Sequence, residues 1–131
     1  IDLPTSMGLL KINGLCASSH VVVPLDPSVF SLEAIHNLKT TFQDIKKMTG
    51  HSLKQFTVCL IRHKKFRADR QSPSQEIEAK LKEIFDTVFT VPESVYIYRA
   101  QKEGVPISHY SPKSKAAKAY EEIAKNIMGE A

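Results

Sequence analysis

The sequence predicts an α/β domain built on a mainly parallel sheet with flanking helices. Three observations predict it. Apolar, β-branched-rich runs of strand length occur at 20–25, 56–62 and 88–91, the pattern of strands buried on both faces. Between them lie longer stretches with apolar residues at helical spacing. Proline, serine and glycine punctuate the joins. Strand and helix therefore alternate along the chain, as parallel α/β folds require.

Residues 1–2 read as the end of a strand that stops on the carboxylate of Asp2. Pro4 holds Leu3 extended and makes 3–5 a turn. Ser6 is placed to cap a helix to about residue 17, with Met7, Leu10 and Leu15 as its buried side. The run 20–25 is a buried strand, weakened by the missing donor of Pro24. After a turn at 26–28, Ser31 is expected to cap the longest helix, with Glu33 in its first turn. Leu32, Ile35, Leu38, Phe42 and Ile45 form its inner stripe, and Gly50 ends it. The strand 56–62 is the centre of the sheet.

Ser72 and Pro73 open the next helix, serine at the cap and proline at the first position. Ile77, Leu81, Ile84 and Phe85 make its apolar face, and Glu78 and Lys82 an outer i,i+4 pair. The strand 88–91 is stopped by Pro92. Residues 93–104 fit a short helix or a loop, and 105–110 an extended segment. Ser111 and Pro112 are expected to start a last helix whose inner residues are Ala116, Ala119, Tyr120, Ile123 and Ile127.

Length and composition bound the function. At 131 residues the chain is expected to form part of one domain spanning 1–131, enough to bury roughly two-thirds of its unfolded surface. A net charge of +4 permits an acidic partner without demanding one. Cys16 and Cys59 lie in apolar surroundings, so reduced thiols in a cytoplasmic protein are expected. No apolar run approaches the ~18–20 residues of a membrane span, and no signal-peptide pattern is present. His20, His36, His51, His63 and His109 lack zinc-ligand spacing, and no G-x-S-x-G elbow occurs. The chain opens with Ile1 and Asp2 rather than Met, and has few strands for a covered sheet. It is expected to be a piece of something longer, with a sheet edge bare or shared.

Ligands of an open parallel sheet bind beyond the carboxyl ends of its strands. The segment 62–70 sits there, with Arg62, Lys64, Lys65, Arg67 and Arg70 against Asp69 alone. Clustered cations of this kind suit phosphate, including DNA phosphate, in a salt-dependent way.

Several segments, taken in order, carry a family resemblance. Asp2, Pro4 and Gly8 fit an Asp-x-Pro-x-x-x-Gly segment, followed by Asn13, Gly14 and Leu15. Pro24, Pro27, Phe30, Ser31 and Leu32 fit a Pro-containing segment after the next strand. Pro92 and Glu93, then 100–106 and 110–120, fit a closing signature. Together they resemble the C-terminal half of ParA/MinD-type ATPases, the deviant Walker A (SIMIBI-class) P-loop family.

The resemblance implies a partial P-loop NTPase-like fold and a Mg-ATP-dependent ATPase that acts in chromosome or plasmid partitioning. It makes Asp2 the switch aspartate, with a catalytic role and a hold on the water shell of Mg²⁺, an ion that favours carboxylate and water oxygens. It places adenine near Arg62, Pro92 and Glu93. It further implies an ATP-dependent homodimer, a ParB-like activating partner and DNA bound without sequence preference. The basic membrane helix of MinD-like members has no counterpart in the tail 124–131, so no membrane is expected.

The sequence departs from the family at Ile61, where an asparagine is usual, and at Arg99, where an acidic residue is usual. No Gly-rich, Lys-containing phosphate loop occurs in these residues, so ATP hydrolysis by the 131 residues alone is not expected. The alternative is a standalone, non-catalytic adaptor or DNA-binding module that kept the scaffold without the ATP site.

Overall fold

The computed structural model describes residues 1–4, 8–52, 54–64 and 72–129, apart from the side chains of Val29, Ser31 and Leu32. In chain order the elements are α1 Leu9–Cys16, β1 His20–Leu25, α2 Val29–Thr49, β2 Gln55–His63, α3 Pro73–Ile84, β3 Val88–Pro92, α4 Val95–Glu103, α5 Ile107–Tyr110 and α6 Lys115–Met128. The three strands form a parallel sheet in the order β1-β2-β3. This is the α/β class expected from the alternation.

The pleat of β2 sorts the core into two sides, because successive side chains point to opposite faces. Val58 and Leu60 join Leu25, Ile35, Ile77 and Leu81 in one cluster, beneath α2 and α3. Cys59 joins Val91 and Ile123 in the other, with Ile61 and Phe89 packed against it. Burial pushes the Cys59 thiol up to about 11, so it stays a neutral apolar filler. On the α6 side, the amide of Gln55 donates to Asn126 Oδ1 at 2.6 Å and so ties the start of β2 to the end of the chain.

β1 is less covered than its apolar sequence suggests. His20, Val22 and Pro24, which share one face, are exposed, Val22 at 41%. Among the described residues β1 and β3 each pair with β2 alone.

Caps set the helix limits. Ser72 and Gln75 form a reciprocal capping box at α3: Ser72 Oγ accepts from the Gln75 N–H, and Gln75 Oε1 from the Ser72 N–H. Gly50 ends α2 at φ 71°, a conformation that glycine adopts without a Cβ penalty. Lys82 donates to Glu78 Oε1 at 2.6 Å, the i,i+4 pair the spacing indicated, but Glu78 is only 17% exposed and turns toward the sheet rather than outward.

Several expectations need correction. Residues 1–4 carry no regular secondary structure; a strand end needs a neighbouring strand, and among the described residues β1 pairs with β2 alone. The N-cap of α1 is Gly8, and Leu10 is 75% exposed, although Leu15 is buried; Ser6 and Met7 lie outside the described residues. Helix α2 starts at Val29 with Ser28 at its N-cap, because the turn at Asp26 delivers Ser28 already extended. Glu33 therefore falls beyond the first turn. Ile35, Leu38, Phe42 and Ile45 keep the inner stripe, while the side chain of Leu32 is not described. Residues 107–110 form one helical turn rather than an extended segment: Pro106 presets φ at −63°, and its carbonyl accepts from the His109 and Tyr110 amides. Helix α6 begins at Lys115, capped by Ser114, whose Oγ accepts from the Ala117 N–H. Tyr120 and Ile127 on α6, and Ile84 on α3, lie at the rim rather than inside.

Candidate functional site

The carboxyl edge of the sheet is shaped by an irregularity at the end of β2. The register of β2 against β3 shifts between Leu60 and His63, and Arg62 adopts φ 53°. Left-handed backbone at a non-glycine residue costs on the order of 1–3 kcal/mol and persists only where the surroundings hold it. Such bulges re-aim a side chain out of the ladder.

What holds it is a set of cross-strand interactions. Arg62 grips Asp26, just beyond β1, with two prongs: Nε donates to Oδ1 at 2.6 Å, and the terminal nitrogen donates to Oδ2. The Arg62 side-chain hydrogen bond is the main cause that holds the Asp26 carboxyl below the usual carboxylate range. The same bond raises the Arg62 guanidinium. On the other side, Lys64 Nζ lies 3.0 Å from Glu93 Oε2, just beyond β3, and the Glu93 N–H donates to the His63 carbonyl at 3.2 Å. Ser72 Oγ donates to the Lys64 carbonyl at 2.6 Å. This serine is fully buried, so the start of α3 is bolted to the end of β2. His63 is buried, and its Nε2 lies 2.8 Å from Glu78 Oε2 on α3, too poorly aligned for a hydrogen bond.

These groups border an open cleft of about 680 Å³ lined by Asp26, Pro27, Arg62, Lys64, Ser74 and Glu93. Its charges come as matched pairs, Arg62 with Asp26 and Lys64 with Glu93. A polyphosphate needs surplus donors, and these two cations are already engaged.

Of the residues singled out in the sequence, Pro92 lies opposite His63 in the ladder and lines a different pocket with Lys115 and Lys118 of α6, whereas Arg62 and Glu93 line this cleft. Lys64 joins them. Asp2 is exposed, and its neighbour Leu3 is seated on α1: a Cβ on Gly14 would meet Leu3 Cδ2 at 2.3 Å. Lys65, Arg67 and Arg70 lie outside the described residues. Among the described residues, no group of three or more His, Cys, Asp or Glu side chains converges to hold a metal ion, and no helix is long and apolar enough to cross a membrane. Ile61 packs with the Cys59 cluster, so a polar residue at that position would face α6 packing. Sequence reasoning missed Asp26, Ser72 as a bolt, and the His63–Glu78 approach. The position of Asp26 directly after β1 was the available signal.

Comparison with known proteins adds the following. Residues 1–55 match a family model described as an AAA domain. The chain is 30% identical over 131 residues to the chromosome-partitioning ATPase Soj of Treponema pallidum, covering 98% of this chain and 50% of that protein. It is 33% identical over 129 residues to the sporulation initiation inhibitor protein Soj of Bacillus subtilis, covering 97% and 50%. In fold it is similar to the septum site-determining protein MinD complexed with Mg-ADP from Pyrococcus horikoshii, with TM-score 0.70 and 18% identity over 96% of this chain and 48% of that one. It is also similar to a Cyanothece McdA variant in complex with ATP, with TM-score 0.76 and 20% identity over 92% and 46%. The chain spans about half the length of the curated relatives it matches.

Proposed function

Since this chain belongs to the ParA/MinD-type family of P-loop ATPases, we propose that it is the C-terminal half of a Mg-ATP-dependent ATPase acting in chromosome or plasmid partitioning. The observation that carries this reading is the convergence of Arg62 and Glu93 in one cleft at the carboxyl edge of a parallel sheet, with Pro92 ending β3 next to Glu93, where such sheets bind ligands. The half-length match to the relatives and the exposed face of β1 support it.

In this reading Arg62, Pro92 and Glu93 form the adenine side of the site. Asp26 holds the Arg62 guanidinium in place, and Ser72 fixes the backbone that presents it. Asp2 is the switch carboxylate that holds the water shell of Mg²⁺. Bound Mg²⁺ would neutralise charge on the phosphates. The phosphate loop belongs to the other half of the domain. The 131 residues alone are inactive, and the intact protein forms an ATP-dependent dimer answering to a ParB-like activator. DNA binding falls to the basic segment 62–70. Arg62 and Lys64 are engaged by Asp26 and Glu93, so Lys65, Arg67 and Arg70 carry most of it.

The test is ATP turnover by the isolated chain and by the intact protein that contains it. Turnover by the intact protein alone, dependent on Mg²⁺, supports the proposal. Turnover by the isolated chain above a no-protein control, or none by the intact protein with DNA and activator present, contradicts it.

A further inference from the structure

A second concave surface lies at the opposite, amino edge of the sheet, between α2 and α3, and owes nothing to the nucleotide site. Its floor is aromatic. Phe56, at the start of β2, meets Phe42 edge-on with centroids 5.1 Å apart and stacks on Phe85 at 5.1 Å. Lys39 reaches over the Phe85 ring, with its ammonium 5.8 Å from the centroid. Two adjoining cavities of about 330 and 360 Å³ share Lys39, Gln43, Ile84 and Phe85 as walls. They form one groove along α2 rather than a single closed chamber.

The charge around this groove has one sign. Lys39 and Lys46 line it, with His36 and His51 nearby; His51 is engaged through Nε2 with the Ser18 carbonyl at 2.8 Å. Among the described residues no carboxylate lines either cavity. Asp44, on the same helix, sits 3.9 Å from Lys47 and is not part of the wall. Lys39, Gln43 and Lys46 fall at i, i+4 and i+7, so the cations repeat along a single helix face.

We propose that this groove docks an acidic, amphipathic helical segment of a partner protein. Two adjoining, mainly apolar cavities in line along α2 leave room for the i, i+3/i+4, i+7 anchors of a helix laid in a groove. Covering Ile84 and the aromatic floor removes apolar surface from water. Carboxylates beside the anchors meet Lys39 and Lys46, and a basic partner is repelled by them.

The experiment uses two synthetic helical peptides with leucines at i, i+4 and i+7, flanked in one by glutamates and in the other by lysines. Each is titrated into the intact protein by fluorescence anisotropy, and the bound state is mapped by NMR shift perturbation. The glutamate peptide is expected to bind at least about tenfold tighter than the lysine peptide, with perturbations at Gln43, Phe56 and Phe85. The double variant K39E/K46E, altered at two exposed positions and checked for folding by circular dichroism, is expected to invert that preference. Binding of neither peptide, equal binding of both, perturbations confined to other surfaces, or an unchanged preference in the variant each overturns the proposal. Self-association that disappears in K39E/K46E also overturns it, by making a second copy of the chain the occupant.

Discussion

Arg62 and Asp26, 36 residues apart in sequence, form a two-pronged ion pair that joins the end of β2 to the turn after β1. Together with the Ser72–Lys64 and Glu93–His63 hydrogen bonds, the pair helps to hold Arg62 in its left-handed backbone, and it shapes one wall of the cleft.

The first prediction concerns pH. The Asp26 carboxyl is held low in the folded chain, chiefly by its hydrogen bond to Arg62. A depressed carboxylate contributes stability that is present above its unfolded value of about 3.9 and is lost as pH falls through the lower folded value. Denaturation midpoints measured from about pH 6 down to about pH 3 should fall more steeply for the native sequence than for Asp26→Asn. The effect is small because both partners are exposed and screened by water. Parallel curves would show that the pair contributes nothing.

Ser72→Ala is expected to destabilise the fold by more than an ordinary cap. It removes the cap of α3, worth about 1 kcal/mol, and strips the Lys64 carbonyl of its donor, worth about 1–3 kcal/mol when the group stays buried. Urea denaturation measures the sum. A loss under about 0.5 kcal/mol would mean that water replaces the hydroxyl.

Replacing Lys65, Arg67 and Arg70 with alanine is expected to weaken DNA binding by the intact protein and to flatten its salt dependence. The slope of log affinity against log salt should shrink by about 0.9 for each phosphate that these side chains neutralise. An unchanged slope would place DNA on another surface.

Much of the fold was legible because its signals are local. The apolar run of β1, the serine and proline before α3 and the Glu78–Lys82 pair each announce themselves within a few residues. What was misread depends on distant partners. Residues 1–2 look like a strand end, yet among the described residues no strand pairs with them. Residues 107–110 look extended, yet Pro106 closes a local turn. At the site, Arg62, Pro92 and Glu93 came from a resemblance; the fold puts Arg62 and Glu93 in one cleft and Pro92 in the neighbouring pocket, and their part in binding nucleotide is a proposal. Asp26 was invisible as their companion, because only the parallel register of β1 and β2 brings it beside Arg62.

The adenine side of the site is the central claim, and photolabelling tests it most directly. The intact protein is irradiated with 8-azido-ATP and Mg²⁺, and the labelled peptide is identified by mass spectrometry. Label competed by ATP on peptides that carry Arg62, or Pro92 and Glu93, is the predicted result. Competed label found only elsewhere in the protein, or no competed label at all, would contradict it.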